Sequence, residues 1–251
     1  MLGRGSVTVV RAGSTMEPRC RPRHAGNAKG YLRAWAVYDS LCRILTMTGL
    51  ASPARTPTVT RYSGIHGTEG GIGMRVRRVV TGHDRNGKAV FASDEQVDPV
   101  TLELIPGPEF HRLWGADQAP TFPDYGGPTA QRSYFPPVGG YRFGLFTIPP
   151  ATVPPPAGID FRAALAEMEE KLPGMLACME PDNPGMHTTD TIDFEVVLSG
   201  EVILELDDGA EKVLRPGDTV VQNGTRHRWR NRGTEPAILA VFITGAHRAS
   251  E

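Results

Sequence analysis

The chain has 251 residues, a formal net charge of -1 and three cysteines. That length can bury a substantial core and allows one or two domains. The near-neutral total hides an asymmetry: residues 1–61 hold ten Lys or Arg against Glu17 and Asp39, a charge of +8, which leaves -9 for the remainder. A basic stretch this poor in acids raises nucleic acid and targeting as readings. Its arginines (Arg4, Arg11, Arg19, Arg21, Arg23) are mixed with Gly, Pro and Ser and follow no helical or strand period, so no element presents them as a patch. Tyr31 to Leu50 has helical character, but Arg33, Asp39 and Arg43 interrupt the roughly 20 apolar residues a membrane span needs. No basic region is followed by an apolar stretch of signal-peptide type. The expected partners therefore include neither nucleic acid nor membrane. Residues 1–61 read as a low-order leader, with Met47 as the expected true start. Cys20, Cys42 and Cys178 are odd in number and lack metal-knuckle spacing, so they read as free thiols in a reducing cytoplasm.

Residues 62–158 read as N-terminal strands and Pro/Gly-rich loops, and 159–249 as a β-barrel with a preceding helix. Two β-prone runs flank Asn86-Gly87, a pair that tolerates positive φ and favours a hairpin turn, so order is expected from a two-strand ribbon near Arg75. Phe110 to Trp114 is a short strand. Ala119 to Gly140 is crowded with Pro and Gly; proline lacks the ladder donor, so this is a long loop that covers an opening or meets another subunit. Tyr141 to Ile148 resumes strand character, and the prolines from Pro149 to Pro156 end it.

Asp160 is placed to cap one amphipathic helix, with Phe161, Leu165, Met168 and Leu172 at helical spacing and Pro173-Gly174 as its stop. Its apolar stripe is expected to dock on the outside of a sheet. A regular meander follows: Thr188 to Leu198, Glu201 to Leu206, Lys212 to Leu214, Thr219 to Gln222, His227 to Arg230 and Ala237 to Ile243. The turns fall at Ser199-Gly200, Asp207-Asp208-Gly209 and Arg215-Pro216-Gly217-Asp218. Short strands at turn-marked intervals predict an all-β fold, a barrel or double-sheet jelly roll.

The chemistry concentrates in this meander. Read as continuous strand, His187, Thr189, Thr191, Asp193 and Glu195 share one face, because successive side chains alternate. His227 and Trp229 share a face on a later strand. If the two strands lie side by side, His187, Asp193 and His227 converge, and two imidazoles with a carboxylate are a common set for a divalent metal. Glu195 is the candidate catalytic residue, readable as a missing metal ligand, a general base or an inward acid paired with an arginine, and an inward carboxylate needs a partner or a shifted pKa. Thr189 and Trp229 are the candidate substrate-binding residues. Asp190 has the opposite parity and reads as a surface or turn residue. His83 and His111 lack an acidic or histidine partner and read as structural. There is no phosphate loop, nucleotide fingerprint or nucleophile elbow.

These residues resemble the cupin superfamily. Its first motif pairs two histidines one residue apart with a later Glu and a closing Gly, and its second carries Pro-Gly-Asp, then Gly, His and Asn. His187 matches the first histidine, Asp193 falls at the Glu position and Gly200 at the closing glycine. Gly217, Asp218, Gly224, His227 and Asn231 match the second motif. The sequence departs where Thr189 replaces the second histidine, Asp193 replaces Glu, Gln222 stands where Pro is usual, no glycine precedes His187, and the loop before His227 is one residue short. The resemblance covers roughly residues 141 to 246. It implies a double-stranded β-helix, a divalent metal (Fe, Mn, Zn or Ni) in the barrel, and an oxygenase, decarboxylase, isomerase or dehydratase acting on a small molecule. The alternative is a non-catalytic sensor or carrier that lost its metal through Thr189. The N-terminal strands and the Pro-rich loop offer material for exchange across a two-fold, so a homodimer is expected.

Overall fold

The computed structural model describes residues 67–68, 71–151 and 157–249; the basic leader, Met47, Cys20 and Cys42 lie outside them. In chain order the strands are β1 (Gly67–Thr68), β2 (Gly71–Met74), β3 (Val76–His83), β4 (Ala89–Val97), β5 (Glu109–Ala116) and β6 (Tyr141–Ile148). Two helices follow, α1 (Phe161–Lys171) and α2 (Met175–Cys178). The meander then supplies β7 (Thr191–Ser199), β8 (Val202–Glu205), β9 (Glu211–Leu214), β10 (Thr219–Gln222), β11 (Arg228–Arg230) and β12 (Ala237–Gly245). The molecule is all-β, as its turn-marked strand pattern predicts.

Two sheets enclose the core. The larger has five strands in the order β10-β7-β12-β6-β5, and the smaller has three in the order β11-β8-β9. Val197, Leu239 and Ile148 from the large sheet meet Val202 from the small one, and Leu214 and Trp229 pack against the cluster. Burial of such side chains is worth roughly 1.5–3 kcal/mol each and fixes which face of every strand turns inward. The register runs Val197 to Leu239, Leu239 to Phe146 and Phe146 to Phe110, so these four side chains share the inner face.

The turns follow the chemistry of their residues. Gly200 adopts φ 76°, and a Cβ there would stand 2.7 Å from Ala237 Cα, so only glycine lets the β7–β8 turn pass under β12. Asp218 accepts from the Arg215 backbone N–H at 2.8 Å, closing the turn around Pro216-Gly217. Asn231 is 2% exposed and donates to the carbonyls of Ile148 and Glu235 at 3.0 and 2.8 Å.

The β3–β4 hairpin forms a separate two-stranded sheet, as the Asn86-Gly87 pair predicts. Asp84 accepts from the N–H groups of Asn86 and Lys88, and Gly87 carries φ 76°. The loop after β5 is anchored rather than free. His83 receives it through its backbone N–H to Asp124 O at 2.7 Å, and Tyr134 N–H donates to Pro173 O at 2.8 Å.

Asp160 caps α1 as expected, accepting from the N–H groups of Arg162 and Ala163. The docking surface differs from the expectation. Ala164, Met168 and Leu172 bury against Leu102, Leu104 and Phe110, and Phe110 belongs to the inner face. The helix therefore packs on the inner face at β5 instead of lying on the outside of a sheet. Cys178 is disulfide-bonded, which corrects the free-thiol reading at that position. Among the described residues no helix is long and apolar enough to cross a membrane.

Candidate active site inside the barrel

The segment expected to run as one strand from His187 to Glu195 breaks in two. His187 makes an isolated antiparallel bridge to His227, whereas β7 begins only at Thr191. Between them the chain bends at Asp190. Arg248 holds the bend: its guanidinium pairs with the Asp190 carboxylate and donates to Thr189 O at 2.7 Å and Gly224 O at 3.0 Å. His187 thus continues the small sheet beside β11, and Asp193 and Glu195 belong to the large one.

The two histidines meet closely. Their backbones exchange hydrogen bonds of 2.9 and 3.0 Å, and the ring centroids lie 4.1 Å apart. Each ring is fixed by a carbonyl two residues earlier: His187 Nδ1 lies 3.0 Å from Gly185 O and His227 Nδ1 lies 2.9 Å from Thr225 O. A carbonyl only accepts, so both Nδ1 atoms carry the proton and both Nε2 atoms keep their lone pair. Burial holds His187 below the usual imidazole range. His227 is pushed down to about 3, by burial first and by His187 second. Both rings are therefore neutral at physiological pH.

On β7, Thr191, Asp193 and Glu195 alternate inward. Asp193 Oδ1 and Glu195 Oε2 are buried without a hydrogen-bond partner. Burial, eased by a hydrogen bond from Thr191, raises the Asp193 carboxyl to about 6. Burial and the neighbouring Asp193 raise Glu195 to about 8, so Glu195 holds a proton at neutral pH, the form suited to a general acid. Thr189 is 1% exposed and spends its hydroxyl on that of Thr191 at 2.7 Å. Trp229 stands edge-on to His227 with centroids 6.2 Å apart and forms a wall next to the imidazole pair.

The structure brings together His187 with His227, and Asp193 with Glu195, but not all four. Among the described residues no group of three or more His, Cys, Asp or Glu side chains is close enough to hold a metal ion. Asp193 is thus not gathered with the two imidazoles into one such group, and the chain bends at Asp190 between them. Two neutral imidazoles, each with its tautomer fixed by a carbonyl and its Nε2 free, fit a borderline divalent ion as a pair of nitrogen ligands.

Three functional candidates escape a motif-based reading. Arg112 on β5 and Arg142 on β6 face inward through the pairings Arg112–Gly144 and Arg142–Ile243. Tyr134 enters from the long loop and packs edge-on against Phe110. Its phenol is pushed above the usual range by burial, then by Asp193, with Arg112 opposing and Glu195 adding, so it lies among all three charges. No local pattern marks either arginine or Tyr134, since β5 breaks its alternation with a bulge between Arg112 and Trp114. His111, on the opposite face of β5, is buried, and neither of its ring nitrogens has a hydrogen-bond partner among the described residues.

Comparison with known proteins follows the same outline. The family model described as a cupin domain matches residues 175–243. Phomopsin biosynthesis cluster protein D of Diaporthe leptostromiformis is 49% identical over 59 residues, 24% of this chain and 31% of that protein, so the match spans about a third of that relative's length. The cupin-domain-containing oxidoreductase fogC of Aspergillus ruber is 29% identical over 175 residues, 67% of this chain and 72% of that protein. Among solved structures, a predicted oxalate decarboxylase from Thermotoga maritima covers 59% of this chain and 93% of its own at 13% identity, with a TM-score of 0.32. With both histidines, the inward carboxylates and the six strands β7 to β12 inside or overlapping the matched stretch, the chain carries a cupin-superfamily domain.

Proposed function

We propose that the barrel is a small-molecule enzyme, of the oxidoreductase kind for which fogC is named, with a divalent metal ion held by the Nε2 atoms of His187 and His227. The observation that supports the reading is the imidazole pair itself: two neutral rings 4.1 Å apart, each anchored through Nδ1 to a backbone carbonyl. When bound there, the ion supplies Lewis-acid polarisation of a substrate oxygen, or one-electron chemistry if it is redox-active. The chain's own residues do the rest. Trp229 walls the site, Thr189 spends its hydroxyl on that of Thr191, and Glu195 holds a proton within the barrel. Two protein ligands leave most of the coordination sphere to water and substrate, so the ion exchanges readily.

The test is metal content and thermal stability. Protein loaded with Zn, Mn, Ni or Fe(II) should bind close to one ion per chain and melt higher than chelated protein, since a ligand of the folded state stabilises it by mass action. The gain should vanish in His187→Ala and His227→Ala. Equal melting with and without metal, together with full activity in His187→Ala, contradicts the proposal.

A second reading, a binding barrel without turnover, is favoured by Thr189, whose hydroxyl is committed to Thr191 where a ligand histidine is usual. It predicts ligand-induced stabilisation indifferent to chelator. The expected homodimer also stands as a proposal. Phe143, Phe194, Val221 and Phe242 leave the outer face of the large sheet apolar and exposed, the kind of surface a subunit contact buries. Light scattering should give twice the chain mass, and Phe194→Glu with Phe242→Glu should give the monomer; a native monomer contradicts it.

A further inference from the structure

Arg112 is a guanidinium with most of its hydrogen-bonding capacity unspent. It extends half-buried from the inner face of β5, and its one side-chain hydrogen bond goes to the neutral Gln131 Oε1 at 3.2 Å. A guanidinium offers several N–H donors in a rigid fork, and among the described residues no carboxylate lies within ion-pair distance of this one. Arg142, the inward arginine of β6, is engaged by contrast. It meets Asp117 at 2.5 Å and donates to the carbonyls of Ala116 and Ser133 at 2.8 Å. The other Asp117 oxygen accepts from the Arg132 backbone N–H at 3.0 Å, so both oxygens of that carboxylate are taken.

Both arginines line one small cavity between β5, β6 and the loop that carries Gln131 and Tyr134. Its free volume is about 20 Å³, which holds roughly one or two particles the size of water and leaves no room for an organic acid. None of the residues lining it is acidic. The Arg112 pKa is lowered by burial first and by the neighbouring Arg142 second, against opposing effects of Tyr134 and Asp117. Two guanidiniums thus share a space in which one of them has no protein anion. Holding like charges together away from bulk water costs free energy, and a compact anion accepting charge-assisted hydrogen bonds offsets that cost. A water molecule fits the same volume but carries no charge to offset it.

We propose that this cavity is a halide site, in which one chloride ion is held by the Arg112 guanidinium between β5 and the loop that follows it. Arg112 and Arg142 belong to the sheet, whereas Gln131 and Tyr134 belong to the loop, so the ion ties the loop to the barrel. Tyr134 is the residue this loop sends toward Asp193, and chloride therefore supports the arrangement of the interior from outside it. The site is separate from the imidazole pair and does not depend on the metal.

Bromide is the crystallographic probe, because it replaces chloride and scatters anomalously. Crystals of the full chain soaked in bromide should show a peak within hydrogen-bond reach of Arg112, in the cavity lined by Tyr134 and Arg142. In solution, replacing gluconate, which is too large for the cavity, by chloride at constant ionic strength should raise the melting temperature. The rise should saturate, at about 2–4 °C once chloride is about fivefold above its dissociation constant. Arg112→Met should abolish the saturable rise while melting no lower than the native protein in gluconate, since it removes a charge without a protein partner. Arg112→Lys, which keeps the charge and loses the fork, should retain part of the rise. Chelation should leave these results unchanged, so failure of the metal reading and failure of this one are separate outcomes. No bromide peak beside Arg112, which leaves the cavity to water only, equal melting in chloride and gluconate, or an undiminished chloride response in Arg112→Met overturns the proposal.

Discussion

Glu195 shows most directly how position sets chemistry. An ordinary glutamate is ionised at pH 7, but burial first and Asp193 second lift this one to about 8. The unfolded chain releases the proton near pH 4.5, so between that pH and about 8 the folded protein holds more protons than the unfolded one, and stability falls as pH rises across the window. Asp193, raised to about 6, contributes the same sign only below that value. From pH 6 to 8 the slope therefore reports Glu195 relative to its own replacement. Glu195→Gln should flatten the loss of melting temperature over this interval, recovering on the order of 2–3 kcal/mol at pH 8, measured on chelated protein. Parallel pH profiles for the two proteins contradict the assignment. The parity of Thr191, Asp193 and Glu195 was readable in the sequence because strand alternation is local. The environment of Glu195 was not, because Tyr134 and Val241 reach it from elements about 60 and 46 positions away in the chain, and no local period encodes such contacts.

At the scale of elements, the helix and the bend behave differently under the same reading. Asp160, the spacing of Met168 and Leu172, and the Pro173-Gly174 stop are short-range signals, and α1 forms where they place it. Its docking surface was misread, because an amphipathic stripe states that a face must be buried and not against what. Leu172 is fully buried beside Phe110 and Met168, so Leu172→Ala should cost about 2–5 kcal/mol in denaturant unfolding and loosen the side of the barrel nearest Tyr134. A cost below about 1 kcal/mol would show that α1 is not part of the cooperative unit. The break between His187 and Thr191 was hidden for a related reason: His187 to Glu195 alternates without interruption, and the clamp that bends it is Arg248, near the far end of the chain. Arg248→Ala should therefore lower metal-dependent stabilisation more than overall stability, since it frees the segment carrying His187 while the core keeps its packing.

For the molecule as a whole, the two sheets divide the work. The small sheet, extended by His187, presents neutral nitrogen donors, and the large sheet presents carboxyl groups and arginines. The jelly-roll meander was legible from its turns, and the two histidines were legible as neighbours because the motif spacing fixes them on adjacent strands. Arg112 and Tyr134 were not, since one looks like any strand arginine and the other lies in a loop whose path only the folded chain reveals. Anomalous diffraction at the metal absorption edge, on crystals of the metal-loaded protein, tests the central claim most directly. The account predicts a single peak within coordination distance, about 2.0–2.2 Å, of Nε2 of both His187 and His227; no peak there, or a peak held by other side chains, contradicts it.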